Sequence, residues 1–240
     1  MQLIFVLLTF VSTFIGGLLG IKYKDKLHLI LGFTAGVLLG VVAFEILPEI
    51  IYLITSLNVN SVFPMIALVI GFLSFHILEK TLLIHHAHED TYGKHHHPNV
   101  GIASALALAG HSFLDGVGIG LGFQISTALG IIIALAVIAH DFSDGLNTVS
   151  LALVHKNTSQ KALKLLFIDA IAPVLGALST RLFTIPDYYM LLYLGFFAGF
   201  LLYIGASEIL PEAHSEHSSW KTIAMTLIGV VFIFLISRLA

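Results

Sequence analysis

The chain has no cysteine. That excludes disulfides, thiolate metal ligands and cysteine nucleophiles. Any metal it holds must sit on His, Asp, Glu or neutral oxygen donors. Charge is scarce as well. Only 10% of the 240 residues are Asp, Glu, Lys or Arg, while 58% are hydrophobic. An average soluble domain carries about 25% charged residues, so this composition, with a mean hydropathy of +0.99, is that of an integral membrane protein. A net charge of -3 gives no reason to expect a nucleic acid partner. No basic residue precedes the first apolar run, Met1-Gln2-Leu3-Ile4-Phe5, and no Ala-x-Ala-like site follows it. That run is expected to be a membrane span rather than a cleaved signal peptide.

A span needs roughly 20 mainly apolar residues. Eight stretches qualify, at about 3–21, 28–53, 64–84, 100–123, 127–154, 161–183, 188–210 and 220–239. Connections are short except for a polar segment at 85–99. The expected architecture is therefore all-α, a single transmembrane domain over 1–240. Lys22, Lys24, Lys26, Lys80, Lys94, Lys156, Lys161, Lys164 and Lys221 fall on the side of the odd-numbered connections, and only Arg181 and Arg238 on the other. Basic residues in short loops mark the cytoplasmic side. Both termini are thus expected to be extracytoplasmic and the loop at 85–99 cytoplasmic.

Two motifs occur twice. Glu45-Ile46-Leu47-Pro48-Glu49 ends the second span, and Glu208-Ile209-Leu210-Pro211-Glu212 ends the seventh. These spans run in opposite directions. His111-Ser112-Phe113-Leu114-Asp115-Gly116 lies in the fourth span and His140-Asp141-Phe142-Ser143-Asp144-Gly145 in the fifth, again in opposite directions. This pattern predicts inverted repeats about an axis in the membrane plane, arranged 3+2+3. Transporters commonly place substrate at such an axis.

The hexapeptides carry the chemistry. An ionisable residue at the centre of a span costs ~2.5–3.5 kcal/mol on insertion scales, yet His111, Asp115, His140, Asp141, Asp144 and Asp169 all fall in the fourth to sixth spans. His and Asp four residues apart share a helix face. Two such faces on adjacent helices can surround one divalent ion. Ser112 and Asp141 lie about 100° further round, where they can line a neighbouring position with Asp115, Asp144 and Asp169. The competing reading is a set of His–Asp hydrogen bonds joining helices. Duplication of the pair, with no Lys or Arg in either span, favours metal. Imidazole and carboxylate suit Zn²⁺, and also Fe²⁺, Mn²⁺ or Cd²⁺. Asp169 is expected as a third wall of this site, one turn before Pro173, or else as a protonated core residue.

Other polar residues are less specific. His85, His86, His88, His95, His96 and His97, with Glu89 and Asp90, read as a weak metal-collecting tract or a plain polar linker. Glu45, Glu49, Glu208 and Glu212 read as a path for ions into or out of the site, or as solvated helix ends. Gly116, Gly118, Gly120, Gly122 and Gly145 read as close-packing positions. His76 with Glu79, and His214 and His217, carry little signal.

Together these residues resemble the ZIP (Zrt/Irt-like protein) family of divalent-metal transporters over essentially the whole chain. The most specific matches are Ala35 to Gly40 leading to Leu47-Pro48-Glu49, the span-four His-x-Phe-x-Asp-Gly, His140 to Gly145, and Gly199 to Glu212. The resemblance implies a binuclear site. One position would use His111, Asp115, His140 and Asp144. The other would share Asp115 and Asp144 and add Ser112, Asp141 and a span-six acid. It also implies movement of metal into the cytoplasm by alternating access, with spans one, four, five and six shifting. This chain departs from the family in having Ser112 where Asn is usual and Asp115 and Asp144 where Glu is common. Ala172 precedes Pro173 in place of a Glu, with Asp169 one turn earlier.

The leading expectation is thus a transporter, not an enzyme, with no prosthetic group and a divalent cation as bound substrate. The bilayer is its surroundings, a plasma (inner) membrane is its expected location, and a homodimer is one assembly open to it. An intramembrane metal-dependent hydrolase would need an open metal position and an activated water, and no His-Glu-x-x-His motif is present. A metal-gated channel or sensor is the third reading.

Overall fold

The computed structural model describes residues 2–20, 27–90, 98–154, 156–215 and 219–239. All regular structure among them is helical. The helices are α1 (Gln2–Gly20), α2 (Leu27–Val41), α3 (Leu47–Leu57), α4 (Val62–Asp90), α5 (Pro98–Ile125), α6 (Thr127–Val154), α7 (Ser159–Ser179), α8 (Asp187–Leu202), α9 (Leu210–Ser215) and α10 (Trp220–Leu239). Among the described residues six stretches are long and apolar enough to cross a membrane: His28–Leu57, Gly101–Ile125, Thr127–Leu153, Ser159–Leu182, Asp187–Ser207 and Trp220–Arg238. Gln2–Leu18 and Val62–Ile77 are apolar but shorter.

Local chemistry sets the helix ends. Thr158 caps α7 by accepting the Lys161 N–H, and the Ser126 hydroxyl accepts the Leu129 N–H at the start of α6. Each satisfies an otherwise orphaned donor of a first turn. Asn58 ends α3 in the left-handed region, φ 53°, which Asn tolerates well. The expected loop at 85–99 begins later than the polarity suggests, because α4 stays helical through Asp90. Nothing before Gly93 breaks a helix, and polar residues are good enough helix formers once outside the apolar layer. Residues 91–97, with His95, His96 and His97, lie outside the described residues, as do His217 and the side chains of His85, His86, His88, Glu79, Glu208 and Glu212.

Both Leu-Pro-Glu sequences follow a widened turn. Val42–Ile46 joins α2 to α3 and Tyr203–Ile209 joins α8 to α9, each as a π turn. The Leu47 N–H reaches back to Val42 O and the Leu210 N–H to Gly205 O. A proline removes an N–H and crowds the carbonyl four residues earlier. One extra residue in the preceding turn relieves that crowding without ending the helix.

The chain packs as two compact units, each drawn from three stretches. The first contains Met1–Lys24, Leu78–Gly120 and Val137–Leu182. Its apolar centre is Ala105, Val149, Ala152, Ala162, Leu165 and Leu166, with Phe14, Ile102 and Leu153 against it. Two helix pairs here are in backbone contact. A Cβ on Gly16 of α1 would fall on the Phe142 carbonyl of α6, and one on Gly145 would fall on the Thr13 carbonyl. In the same way Gly176 of α7 meets the Phe113 carbonyl of α5, and Gly116 meets the Pro173 carbonyl.

The second unit contains Asp25–Ile77, Leu121–Ala136 and Phe183–Ala240. It repeats the device. Gly36 of α2 meets Thr226 O of α10, with Gly229 on Phe33 O; Gly199 of α8 meets Leu68 O of α4, with Gly71 on Phe196 O. In all four pairs each glycine follows, by three residues, the carbonyl that its partner glycine meets. Ring pairs fill the remaining space, Phe33 with Phe232, Phe44 with Phe234, Phe75 with Phe200 and Phe72 with Tyr203.

Candidate metal centre

The first unit holds both hexapeptides. Helical spacing stacks His111 over Asp115 on α5 and His140 over Asp144 on α6. Each motif ends in a glycine, and each glycine rests on a neighbouring backbone, Gly116 on α7 and Gly145 on α1. The glycines therefore let each ligand-bearing helix approach a neighbour within the first unit as only a residue without a Cβ allows.

The four side chains converge. One ligand atom each from His111, Asp115, His140 and Asp144 lies within 4.8 Å of the others. Asp115 Oδ2 sits 3.2 Å from His111 Nε2 and 3.3 Å from His140 Nε2. Asp144 Oδ2 sits 3.7 Å from each of the same two nitrogens. The two rings are perpendicular, with centroids 5.8 Å apart. The Asp115 and His140 side chains are fully buried, and those of His111 and Asp144 are 10% and 9% exposed. A tetrahedral ion with ligands at 2.0–2.2 Å has edges of about 3.4 Å. The observed separations already bracket that value. Asp115 Oδ1 and Asp141 Oδ1 are buried without a hydrogen-bond donor, a costly state for a carboxylate that a nearby cation relieves.

The other expected site residues take different partners. Ser112 Oγ donates to Asp169 Oδ1 at 2.7 Å. Asp141 Oδ2 accepts from Thr13 Oγ1 at 3.2 Å, and Asp141 Oδ1 lies 3.9 Å from His140 Nε2. Among the described residues no second group of three close His, Asp or Glu ligand atoms is found. Two residues that the motif reading missed complete the surroundings. Thr148 Oγ1 donates to Asp169 Oδ2 at 2.7 Å, and Thr13 comes from α1. Thr148 lies four residues past Asp144, on the same face, and that spacing was the available signal. In the second unit, Glu49 lines a cavity of about 440 Å³ with Tyr52, Gln124, Thr184 and Asp187. Glu45 is half-buried in the π turn. His76 packs edge-on against Tyr203, and His214 bonds its own helix at Leu210 O.

No curated protein matches the chain. The family described as ZIP zinc transporter does match, over residues 85–237. That stretch is more than half of the chain and includes both hexapeptides, α7 and the second Leu-Pro-Glu, and with the buried His/Asp cluster it places this protein in the ZIP zinc transporter family, whose members move divalent metal across membranes.

Proposed function

We propose that this protein carries a divalent cation, zinc foremost, into the cytoplasm, and that His111, Asp115, His140 and Asp144 hold it in transit. The observation that carries the reading is the convergence of four ligand atoms within 4.8 Å on helices with no basic residue. Two imidazoles with two carboxylates favour zinc and its borderline neighbours over Mg²⁺ or Ca²⁺, which take oxygen donors.

The topology proposed is eight spans in one domain, with Gln2–Gly20 and Val62–Asp90 as two of them. Both termini are extracytoplasmic, and the inverted repeat is 3+2+3. The reciprocal glycine contacts support that repeat: Gly16 with α6 corresponds to Gly176 with α5, and Gly36 with α10 to Gly199 with α4. In alternating access α1, α5, α6 and α7 move as one body relative to the membrane. Glu45, Glu49, Glu208 and Glu212 mark the path to and from the site, and a plasma membrane is the proposed location.

Uptake of Zn²⁺ into proteoliposomes tests this. Wild type is expected to accumulate the ion with saturable kinetics, and His111→Ala and Asp144→Ala to abolish it. Full uptake by Asp144→Ala would sink the assignment of the site. Metal-dependent cleavage of lipid or peptide without ion accumulation would replace transport by hydrolysis.

A further inference from the structure

The structure gives Asp169 an occupation of its own beside the cluster. Its two oxygens each accept a hydroxyl, Oδ1 from Ser112 and Oδ2 from Thr148, both at 2.7 Å. All three residues are fully buried. At 2.7 Å each hydrogen bond is a short, well-made O–H···O bond. Ser112 stands on α5 next to His111. Thr148 stands on α6, one turn past Asp144. A single carboxylate on α7 thus ties both ligand-bearing helices at the level of the ligands.

We infer that Asp169, gripping Ser112 and Thr148, is a positioning residue that sets the spacing of the two His/Asp pairs, and that the cluster takes one ion per chain. This rests on the reading of His111, Asp115, His140 and Asp144 as the cation site. The ligand-atom group contains those four residues and not Asp169, and no second group of three His, Asp or Glu ligand atoms is found among the described residues. The Ser112 hydroxyl has one hydrogen and two acceptors in reach, Asp169 Oδ1 at 2.7 Å and Leu108 O at 3.1 Å. Without Asp169 it falls back on its own helix, an ordinary arrangement for Ser. The link is then lost without leaving the hydroxyl unsatisfied. Below the link, Gly116 already rests on Pro173, four residues past Asp169. Backbone contact and carboxylate bridge together fix α7 against α5 over one turn, and Thr148 extends the bridge to α6.

The test is a titration of the full-length purified protein in detergent with Co²⁺. Visible absorption reports tetrahedral ligation, and equilibrium dialysis counts ions. Wild type and Asp169→Asn are each expected to bind one Co²⁺. Asp169→Ala is expected to bind one ion about 10- to 100-fold more weakly, the range for lost outer-shell support, with a shifted absorption spectrum. Ser112→Ala with Thr148→Val is expected to reproduce that weakening, and adding both to Asp169→Ala to cost nothing further, because the three act through one link. If Asp169→Ala does not fold, Asp169→Asn and the Ser112/Thr148 pair carry the test. A second Co²⁺ in wild type that Asp169→Asn loses makes Asp169 a ligand and overturns the inference, as do independent, additive losses. Absence of any Co²⁺ binding to wild type overturns the cation site itself.

Discussion

Asp115 is the residue on which the site turns. Its Oδ2 lies within 3.3 Å of both imidazole Nε2 atoms, while the Asp144 contacts are at 3.7 Å. It is fully buried, whereas the Asp144 side chain keeps 9% of its exposure. Asp115→Ala is therefore expected to weaken Zn²⁺ binding at least as much as Asp144→Ala. The loss should exceed the 10- to 100-fold typical of outer-shell changes (~1.4–2.7 kcal/mol), as isothermal titration would measure. The same variants separate ligand from scaffold by heat. Zn²⁺ at about 100 times its Kd stabilises a protein that binds it only when folded by roughly 2.7 kcal/mol. Wild type should gain thermal stability on adding the ion, and Asp115→Ala should not. The convergence of His111, Asp115, His140 and Asp144 was legible in the sequence because a His and an Asp four apart, written twice in neighbouring apolar helices, put two matching faces within reach of each other. Thr13 and Thr148 were not. A Thr in an apolar helix usually bonds its own backbone, as Thr13 also does with Thr9 O at 3.0 Å, and only the fold shows which carboxylate it faces.

At the scale of the element, the all-helical class and six of the eight expected spans were readable from hydropathy, and the glycines of the two hexapeptides were readable as packing positions. Their partners were not, since no spacing within α5 or α6 names Pro173 or Thr13. The π turns were also hidden, because one extra residue leaves hydropathy unchanged, although the repeated Glu-Ile-Leu-Pro-Glu marked the place. The glycine contacts yield a sharp comparison. A Cβ at Gly116 or Gly145 would meet a backbone carbonyl, which cannot rotate away, so the helices must part. Overpacking of this kind costs typically ~1–3 kcal/mol. Gly110, on α5 in the turn before His111, has nothing within 4 Å of its Cβ position. Gly110→Ala is expected to be neutral or to stabilise by up to about 1 kcal/mol through helix propensity. Heating each variant in detergent and measuring the surviving monodisperse fraction should rank Gly110→Ala at or above wild type and both motif variants below it. Equal losses at all three positions would show that backbone contact is not what these glycines provide.

For the whole molecule, orientation is defined by which face of the membrane each connection occupies, and the distribution of basic residues makes a definite statement about it. The connection between α3 and α4 contains no basic residue and that between α7 and α8 only Arg181, whereas Lys156, Lys161 and Lys164 cluster around the start of α7. Basic residues in short loops stay cytoplasmic. The absence of cysteine makes the assignment directly testable, because each introduced thiol is the only one in the chain. Ser61, Thr184 and Ser159 are all exposed. In intact cells a membrane-impermeant maleimide is expected to label Ser61→Cys and Thr184→Cys, and to reach Ser159→Cys only after permeabilisation. That outcome places both termini outside if Gln2–Gly20 spans the bilayer as His28–Leu57, Asp187–Ser207 and Trp220–Arg238 are long enough to do. Labelling of Ser61→Cys and Ser159→Cys from the same side would require one of the intervening helices α4, α5 or α6 not to cross. If that helix is α5 or α6, the two hexapeptides do not run in opposite directions and the inverted repeat loses its axis; if it is α4, the 3+2+3 count fails. Reversed labelling of all three positions would instead preserve the repeat and turn the transporter over.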